Sequence, residues 1–291
     1  MSDHLIRAIS GNREIRAFAV STRDTVETMR QCHNTSPVVS AALGRLLSAG
    51  AMMGSMLQGD DKLTLSIRSD GPVEGLTVTA DAEGHVKGFA LEPEVINPVR
   101  ESDKKLDVGG IVGNGTLKVI KDQGLKDPYI GEVGLITGEI AEDLTFYFAQ
   151  SEQIPSAVGL GVLMNRNNTV REAGGFIVQL LPGASEMSIS TLERNVAKVS
   201  SVTELLKEGK TPEDIVNLLL DGVGAEILSD TPVSFKCDCG RERISRVLIS
   251  LGKKELQGLI AENRDAEVKC QFCGKAYSFS IPELKELLAS L

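Results

Sequence analysis

The sequence predicts an α+β fold with three parts: a largely antiparallel sheet domain around a buried helix, a helical connector, and a small C-terminal metal-binding domain. Three observations support this prediction. Strand-like segments separated by turn signals fill residues 62–183, helical periodicity begins after Gly183, and four of the five cysteines lie in the last fifth of the chain. The predicted domains are 1–183, 184–230 and 231–291.

The first part of the chain is predicted to form a strand and two helices, one of which belongs to the core. Residues 13–20 alternate polar and apolar side chains, which is typical of a strand, and Thr22 or Asp24 is suited to start a helix that runs through Cys32. Ser36-Pro37 fits the cap and first position of a second helix, which is apolar on nearly every face through Leu57. We expect this helix to be buried. Arg45 and the lack of a flanking basic cluster disfavour a membrane span.

Period-two patterns and apolar runs between turns predict the sheet domain. A helix over 139–151 interrupts the series, and turn signals such as Asp70-Gly71-Pro72 and Pro182-Gly183 bound the segments. The predicted strands are 62–68, 73–81, 85–91, 116–121, 129–136, 156–164 and 169–181.

Helical periodicity predicts a connector of helices over residues 184–230, and one of these helices starts at Thr211-Pro212. This segment has nine acidic and four basic residues, a net charge of −5. It therefore has little capacity to fold alone, and we expect it to be docked on its neighbours.

The composition and charge of the chain indicate which classes of protein it fits. The chain has 291 residues, of which 42% are apolar, 4% aromatic and none Trp, as in a globular protein with an aliphatic core. The net charge of −9 disfavours nucleic acid as a partner. The N-terminus shows no secretory signal, so we expect a cytoplasmic protein, in which clustered cysteines favour metal binding or redox chemistry.

The cysteines form two close pairs, Cys237-x-Cys239 and Cys270-x2-Cys273. Two such pairs, some thirty residues apart, are typical of a chain that places four thiolates around one tetrahedral Zn²⁺. An iron–sulfur cluster and a plain redox dithiol are the alternatives. Four protein ligands leave no open position for a substrate water, so metal-assisted hydrolysis is not indicated.

Zinc would also stabilise residues 231–291, which are too few to form a stable free-standing core without a metal or a cross-link. The same thiolates are nucleophiles toward peroxide or hypochlorous acid. Residue chemistry alone leaves two possibilities open: an oxidation-sensitive switch and a silent structural zinc site.

Longer motifs resemble the bacterial thirty-three-kilodalton heat-shock protein family of redox-regulated chaperones, over essentially the full length. The segments that carry the resemblance are Phe235-Lys236-Cys237-Asp238-Cys239, Leu251-Gly252-Lys253-Lys254-Glu255-Leu256, Val268-Lys269-Cys270-Gln271-Phe272-Cys273, Tyr277-Ser278-Phe279, Gly138-Glu139-Ile140-Ala141-Glu142-Asp143, Ser151-Glu152-Gln153-Ile154-Pro155-Ser156 and Ala173-Gly174-Gly175-Phe176.

The resemblance implies an ATP-independent holdase without enzymatic activity. In the reduced form, one Zn²⁺ per chain would be bound by Cys237, Cys239, Cys270 and Cys273, and the chaperone would be largely inactive. Oxidation would pair Cys237 with Cys239 and Cys270 with Cys273, release the zinc, unfold the C-terminal redox-switch domain and the connector, and expose apolar surface. The implied partners are unfolded or oxidatively damaged proteins and, on activation, a second copy of the chain. No nucleic acid or membrane partner is implied.

Two rival classes remain. A zinc-ribbon nucleic-acid-binding protein is favoured only by the zinc pairs and by the net +2 charge of residues 231–291. For an enzyme, no nucleophile and base pair is visible, since neighbouring Cys32 and His33 diverge on a helix. We expect Cys32 to be a buried bystander thiol and the glycine-rich stretch 109–115 to form turns.

Overall fold

A computed structural model describes residues 2–96, 99–101, 104–199 and 201–291. The chain divides into two compact units, Met1–Lys236 and Cys237–Leu291. The three-part division at residues 183 and 230 stays a prediction.

The first unit contains two sheets. Its strands are β1 (His4–Ser10), β2 (Ile15–Ser21), β3 (Lys62–Ser69), β4 (Gly75–Asp81), β5 (His85–Ala90), β6 (Gly115–Asp122), β7 (Tyr129–Gly134), β8 (Ser156–Met164), β9 (Val170–Leu180), β10 (Ala225–Pro232) and β11 (Ser234–Phe235). Its helices are α1 (Arg23–His33), α2 (Pro37–Gly54), α3 (Val108–Val112), α4 (Ala141–Tyr147), which continues as a π-helical turn (Phe148–Glu152), α5 (Glu186–Lys198), α6 (Val202–Lys207) and α7 (Pro212–Leu219).

In both sheets the strands are not in sequence order, and nearly all neighbouring strands are antiparallel. The five-stranded sheet has the order β10-β1-β2-β9-β8, and the six-stranded sheet has the order β11-β5-β4-β3-β6-β7. Within them, only the two-residue pairing of β11 with β5 is parallel among the described strands. The predicted α+β class with a largely antiparallel sheet is confirmed.

Helix α2 is the centre of the first core. The Ser36 hydroxyl caps it by accepting from the Val39 amide, and Pro37 occupies its first turn, as predicted. All of its residues except Pro37 and Arg45 are buried. At Gly50, an added Cβ would lie 2.7 Å from Cγ1 of Val78, so glycine permits the close approach of α2 to β4.

Of the helices in the described part of the chain, α2 alone is long and apolar enough to cross a membrane by length and composition. Its burial among α1, β3, β4 and the strands of the five-stranded sheet is that of a core helix. The predicted buried helix is confirmed.

The opposite face of the five-stranded sheet has its own apolar layer. Ile6, Ala17, Phe176 and Val178 face this layer from the strands. Helices α5, α6 and α7 supply the other side of the layer through buried residues, which are Leu192, Val202, Leu206, Ile215, Val216 and Leu219. The predicted connector therefore covers an apolar sheet face, and its helix α7 begins at the predicted Thr211-Pro212 with a capping box.

Three local features differ from the sequence-based expectations. Strand β1 was not predicted, and residues 225–232 form strand β10 beside it instead of continuing the helical connector. Part of the glycine-rich stretch 109–115 belongs to the short helix α3, which Asp107 caps through the Gly110 amide. In each case a long-range contact or a cap decides the local structure.

The second unit consists of three helices and a two-stranded hairpin. Its elements are α8 (Arg241–Ser250), α9 (Lys253–Ala261), the antiparallel hairpin of β12 (Ala266–Lys269) and β13 (Ala276–Phe279), and α10 (Ile281–Ala289). Seven buried residues make its core: Ile244, Leu248, Leu256, Cys270, Tyr277, Phe279 and Leu284. A core this small gives limited stability.

Candidate metal centre

Two short segments bring the cysteines of the second unit together. Cys237 and Cys239 lie in an irregular stretch that ends at Gly240, where α8 starts. Cys270 and Cys273 lie in the turn of the β12–β13 hairpin. Within that turn the Gly274 amide donates to the Cys270 carbonyl at 2.8 Å, and the Cys270 amide donates to the Lys275 carbonyl at 2.9 Å. These bonds close the turn, and the sulfurs of both its cysteines belong to one cluster.

The four sulfur atoms form a compact cluster. All lie within 4.8 Å of one another, and this is the only grouping of three or more metal-ligating Cys, His, Asp or Glu side chains in the described ranges. Cys237 Sγ lies 3.7 Å from Cys270 Sγ, and Cys239 Sγ lies 3.3 Å from Cys273 Sγ. All four cysteines, and Cys32, are free thiols.

The spacing suits a tetrahedral metal ion with thiolate ligands. With Zn–S bonds of about 2.3 Å, neighbouring sulfurs of a tetrahedron lie about 3.8 Å apart. The observed separations of 3.3 and 3.7 Å are close to that edge. Four thiolates at such distances repel each other, so their joint ionisation requires a cation. The cluster can thus hold a metal ion, and its donor set is compatible with zinc.

The thiols differ in acidity when no cation is present. Burial raises the pKa of Cys237 well above the ordinary range, and burial also raises the pKa of Cys273 to about 11. Burial acts in the same direction on Cys239, but hydrogen bonds from Tyr277 and the other thiols outweigh it and lower its pKa to about 7. Cys239 is therefore the first of these three to ionise.

Tyr277 is a polar neighbour whose role the cysteine spacing did not indicate. Its hydroxyl donates to Cys239 Sγ at 3.2 Å, while its side chain belongs to the buried core. This hydrogen bond raises the pKa of Tyr277 itself to about 12. The motif Tyr277-Ser278-Phe279 was visible in the sequence, but a contact across 38 positions has no local signal.

The basic residues near the four cysteines make their closest contacts with groups other than the sulfur atoms. Arg241 binds Glu283 at 2.5 Å and lies over the Phe279 ring, Arg243 pairs with Asp238, and Lys269 lies 3.7 Å from Glu267. Lys236 belongs to the first unit, where its amine lies 3.2 Å from His85 Nε2. These basic side chains contribute to the electrostatic potential around the sulfurs, but their direct contacts are mainly with carboxylates.

Cys32 lies apart from the cluster, near the end of α1 in the first unit. It is half-buried, not fully buried as predicted, and burial raises its pKa. A raised pKa lowers the thiolate fraction, so Cys32 has little nucleophilic character at neutral pH.

Comparisons with known proteins agree over the whole chain. The family model described as Hsp33 protein matches residues 3–280. The 33 kDa chaperonin of Agathobacter rectalis is 54% identical over 288 residues, covering 99% of this chain and 100% of that protein. The 33 kDa chaperonin of Clostridioides difficile is 50% identical over 294 residues, covering all of both chains.

A solved structure matches the fold as well. The crystal structure of the 33 kDa chaperonin (heat shock protein 33 homolog) from Thermotoga maritima has a TM-score of 0.93 and 34% identity. The match covers 100% of this chain and 99% of that one. The chain therefore belongs to the Hsp33 family of chaperones.

Proposed function

We propose that the protein is a redox-regulated holdase that binds unfolding or oxidatively damaged proteins in the cytoplasm and prevents their aggregation. The observation that carries this proposal is the position of the four clustered thiols at the core of a small unit in a chain of a chaperone family. In the reduced state, Cys237, Cys239, Cys270 and Cys273 hold one Zn²⁺ and the chaperone is inactive. The protein has no catalytic step.

Zinc, when bound, offsets the charge of four thiolates and ties the 237–239 segment to the β12–β13 turn. In zinc-finger peptides such binding is worth on the order of 10 kcal/mol or more at neutral pH, and it acts as folding energy. Cys270 is buried, and the other three thiols pack against the same core of seven residues. Loss of the metal therefore removes both charge balance and most of the stability of this unit.

Oxidation converts the ligands into groups that no longer bind the metal. We propose that Cys237 pairs with Cys239 and Cys270 with Cys273, as the family resemblance implies. Each sulfur of a disulfide lacks the negative charge that a metal ion requires of a thiolate. The second unit then unfolds, because its apolar core is too small to persist alone.

The connector provides the surface that activation would expose. Helices α5–α7 cover an apolar face of the five-stranded sheet, where Phe176 and Val178 are buried. Seven of the thirteen residues of α5 are exposed, and so are residues 207–210 at and after the end of α6. Segments with this much exposure open at lower energetic cost than the core. We propose that unfolding of the second unit releases these helices and that client proteins bind the apolar surface thus exposed.

The proposal also concerns partners. Exposed apolar faces associate with each other as well as with clients, so we expect a homodimer on activation. The net charge of −9 gives no general attraction for nucleic acid or for anionic membranes, and we expect neither as a partner.

The test combines three measurements on one sample. Reduced, zinc-loaded protein is treated with peroxide while a dye reports free zinc, a thiol assay counts free cysteines, and light scattering follows a thermally unfolding client. We expect loss of four thiols and one zinc per chain together with suppression of aggregation. Zinc loss without any gain in suppression would exclude the switch. Cys270→Ser should lose zinc and be active without peroxide, and Cys32→Ser serves as the matched control.

A further inference from the structure

Tyr277 connects the two halves of the thiol cluster. It lies on β13, opposite Val268 of β12, and belongs to the same hairpin as Cys270 and Cys273. Its hydroxyl, however, donates to the sulfur of Cys239, which belongs to the other pair. The side chain of Tyr277 therefore links the hairpin to the 237–239 segment, with its hydroxyl oxygen 3.2 Å from Cys239 Sγ.

The hydroxyl is the informative part of this residue. Tyr277 is 7% exposed, and its ring packs in the apolar core. Phe would fill that role equally well, as Phe279 does two positions later at 2% exposure. The hydroxyl is partly buried, and its hydrogen-bond partner is a sulfur of the cluster. Lys275, whose amine lies 5.4 Å from the ring centroid, flanks the same ring.

A hydrogen bond to a thiolate has two chemical effects. It fixes the direction of the sulfur, and partners of this kind commonly change metal affinity by about ten- to a hundred-fold. It also draws electron density from the sulfur. In the metal-bound centre the sulfur is already ionised, so this loss of electron density makes it a weaker nucleophile. Both effects favour retention of the metal in the presence of mild oxidant.

We propose that Tyr277 is a positioning residue of the thiol centre: its hydroxyl holds Cys239 Sγ in the ligand set and slows the attack of that sulfur on peroxide. This inference rests on the proposed function. On this inference, the hydroxyl of Tyr277 sets the oxidant concentration at which the chaperone becomes active.

The step that Tyr277 slows is a two-electron oxidation by a hydroperoxide. The Cys239 thiolate attacks one peroxide oxygen, an S–O bond forms, the O–O bond breaks, and hydroxide leaves, which gives a sulfenic acid. A second thiolate then attacks that sulfur, an S–S bond forms, and a second hydroxide leaves. The two sulfurs lose two electrons in total, and the peroxide gains them.

The test compares Tyr277→Phe with Tyr129→Phe in the full-length protein. Tyr129 is a suitable control because its hydroxyl lies 3.3 Å from Ser151 Oγ in the first unit. Zinc affinity is measured by competition with a chelator, and zinc release by a dye at a fixed hydrogen peroxide concentration. We expect Tyr277→Phe to bind zinc about ten- to a hundred-fold more weakly and to release it faster under peroxide. The control should match the wild type.

A spectroscopic readout separates the hydrogen bond from general loosening. In the Co²⁺-loaded protein, the sulfur-to-cobalt charge-transfer bands depend on electron density at the sulfurs. Loss of the hydrogen bond should move these bands to lower energy in Tyr277→Phe and leave them unchanged in Tyr129→Phe. Zinc affinity, release rate and band positions equal to those of the wild type would overturn the inference.

A second variant covers failure to fold. A 3-fluorotyrosine at position 277 keeps the shape of the side chain and makes the phenol a stronger donor, so we expect slower zinc release than in the wild type. Release that is equal or faster would overturn the inference. If the wild type itself retains zinc under peroxide, the proposed function fails instead, which distinguishes the two outcomes.

Discussion

The imidazole of His4 lies 3.3 Å from the carboxylate of Glu213, which joins strand β1 to helix α7 of the predicted connector. Burial alone lowers the pKa of His4, but the Ser2 carbonyl and the carboxylates of Glu213 and Asp230 outweigh it and raise the pKa. The Glu213 carboxyl also loses hydration on burial, yet hydrogen bonds, including the one with His4, lower its pKa. The two shifts agree that the charged pair is favoured.

This pair makes connector docking depend on pH. Since the folded pKa of His4 is raised, its contribution is fully present below the ordinary pKa of histidine and is lost as pH rises through the raised value. At the acid end, the contribution disappears as Glu213 becomes protonated. We expect His4→Gln to destabilise the protein by about 0.2–1 kcal/mol near pH 5.5 and by much less near pH 8.5, in urea unfolding monitored by circular dichroism. A loss of equal size at both pH values would contradict this account.

A charge placed under α7 should activate the chaperone without oxidant. Ile215 is 1% exposed in the layer between α7 and the sheet, whereas Asn217 of the same helix is exposed. An unpaired buried carboxylate costs on the order of 3–5 kcal/mol, so Ile215→Glu should release α7. We expect reduced, zinc-loaded Ile215→Glu to suppress client aggregation and Asn217→Glu to stay inactive. If hydrogen exchange shows α7 released and no suppression is gained, the proposed role of the connector is wrong.

Metal removal should unfold one unit and spare the other. The second unit has seven buried core residues, while the first has two extensive apolar layers. With a strong chelator under reducing conditions, we expect α8–α10 to become sensitive to protease and a resistant fragment to end near Lys236. Re-addition of zinc should restore resistance. A second unit that remains resistant without metal would contradict the proposed stabilisation by zinc.

The disulfide pattern after oxidation can be mapped directly. We expect peptide mass spectrometry to find Cys237 joined to Cys239 and Cys270 joined to Cys273. In the reduced structure, short sulfur contacts join Cys237 to Cys270 and Cys239 to Cys273, so cross-pairing is the competing outcome. Cross-paired disulfides would keep the hairpin tied to the 237–239 segment and would contradict unfolding of the unit. Cys32 should remain reduced because its pKa is raised.

Local signals in the sequence predicted much of the fold. Ser36-Pro37 and Thr211-Pro212 mark helix starts by capping chemistry that acts over three or four residues, and both helices begin there. Strand β10 escaped prediction because its stability depends on pairing with β1, more than 200 positions earlier, as in the pair Leu5 and Thr231. Propensity carries no information about such a partner.

The same distinction applies to the site. The spacing of the four cysteines indicated the cluster, since two close pairs each come from one short segment, and the structure brings all four sulfurs together. The hydrogen bond from Tyr277 to Cys239 depends on how the hairpin packs against the 237–239 segment. That packing follows from tertiary structure, which no local pattern records.

The central claim is that loss of metal from the second unit uncovers the sheet face beneath α5–α7. Hydrogen exchange read by mass spectrometry tests it most directly, with reduced zinc-loaded protein compared with peroxide-treated protein. We predict that amides of α5–α7 and of the second unit exchange rapidly after oxidation, while α2 and strands β2 and β9 stay protected. If α5–α7 remain protected in oxidised protein that suppresses aggregation, the account is contradicted.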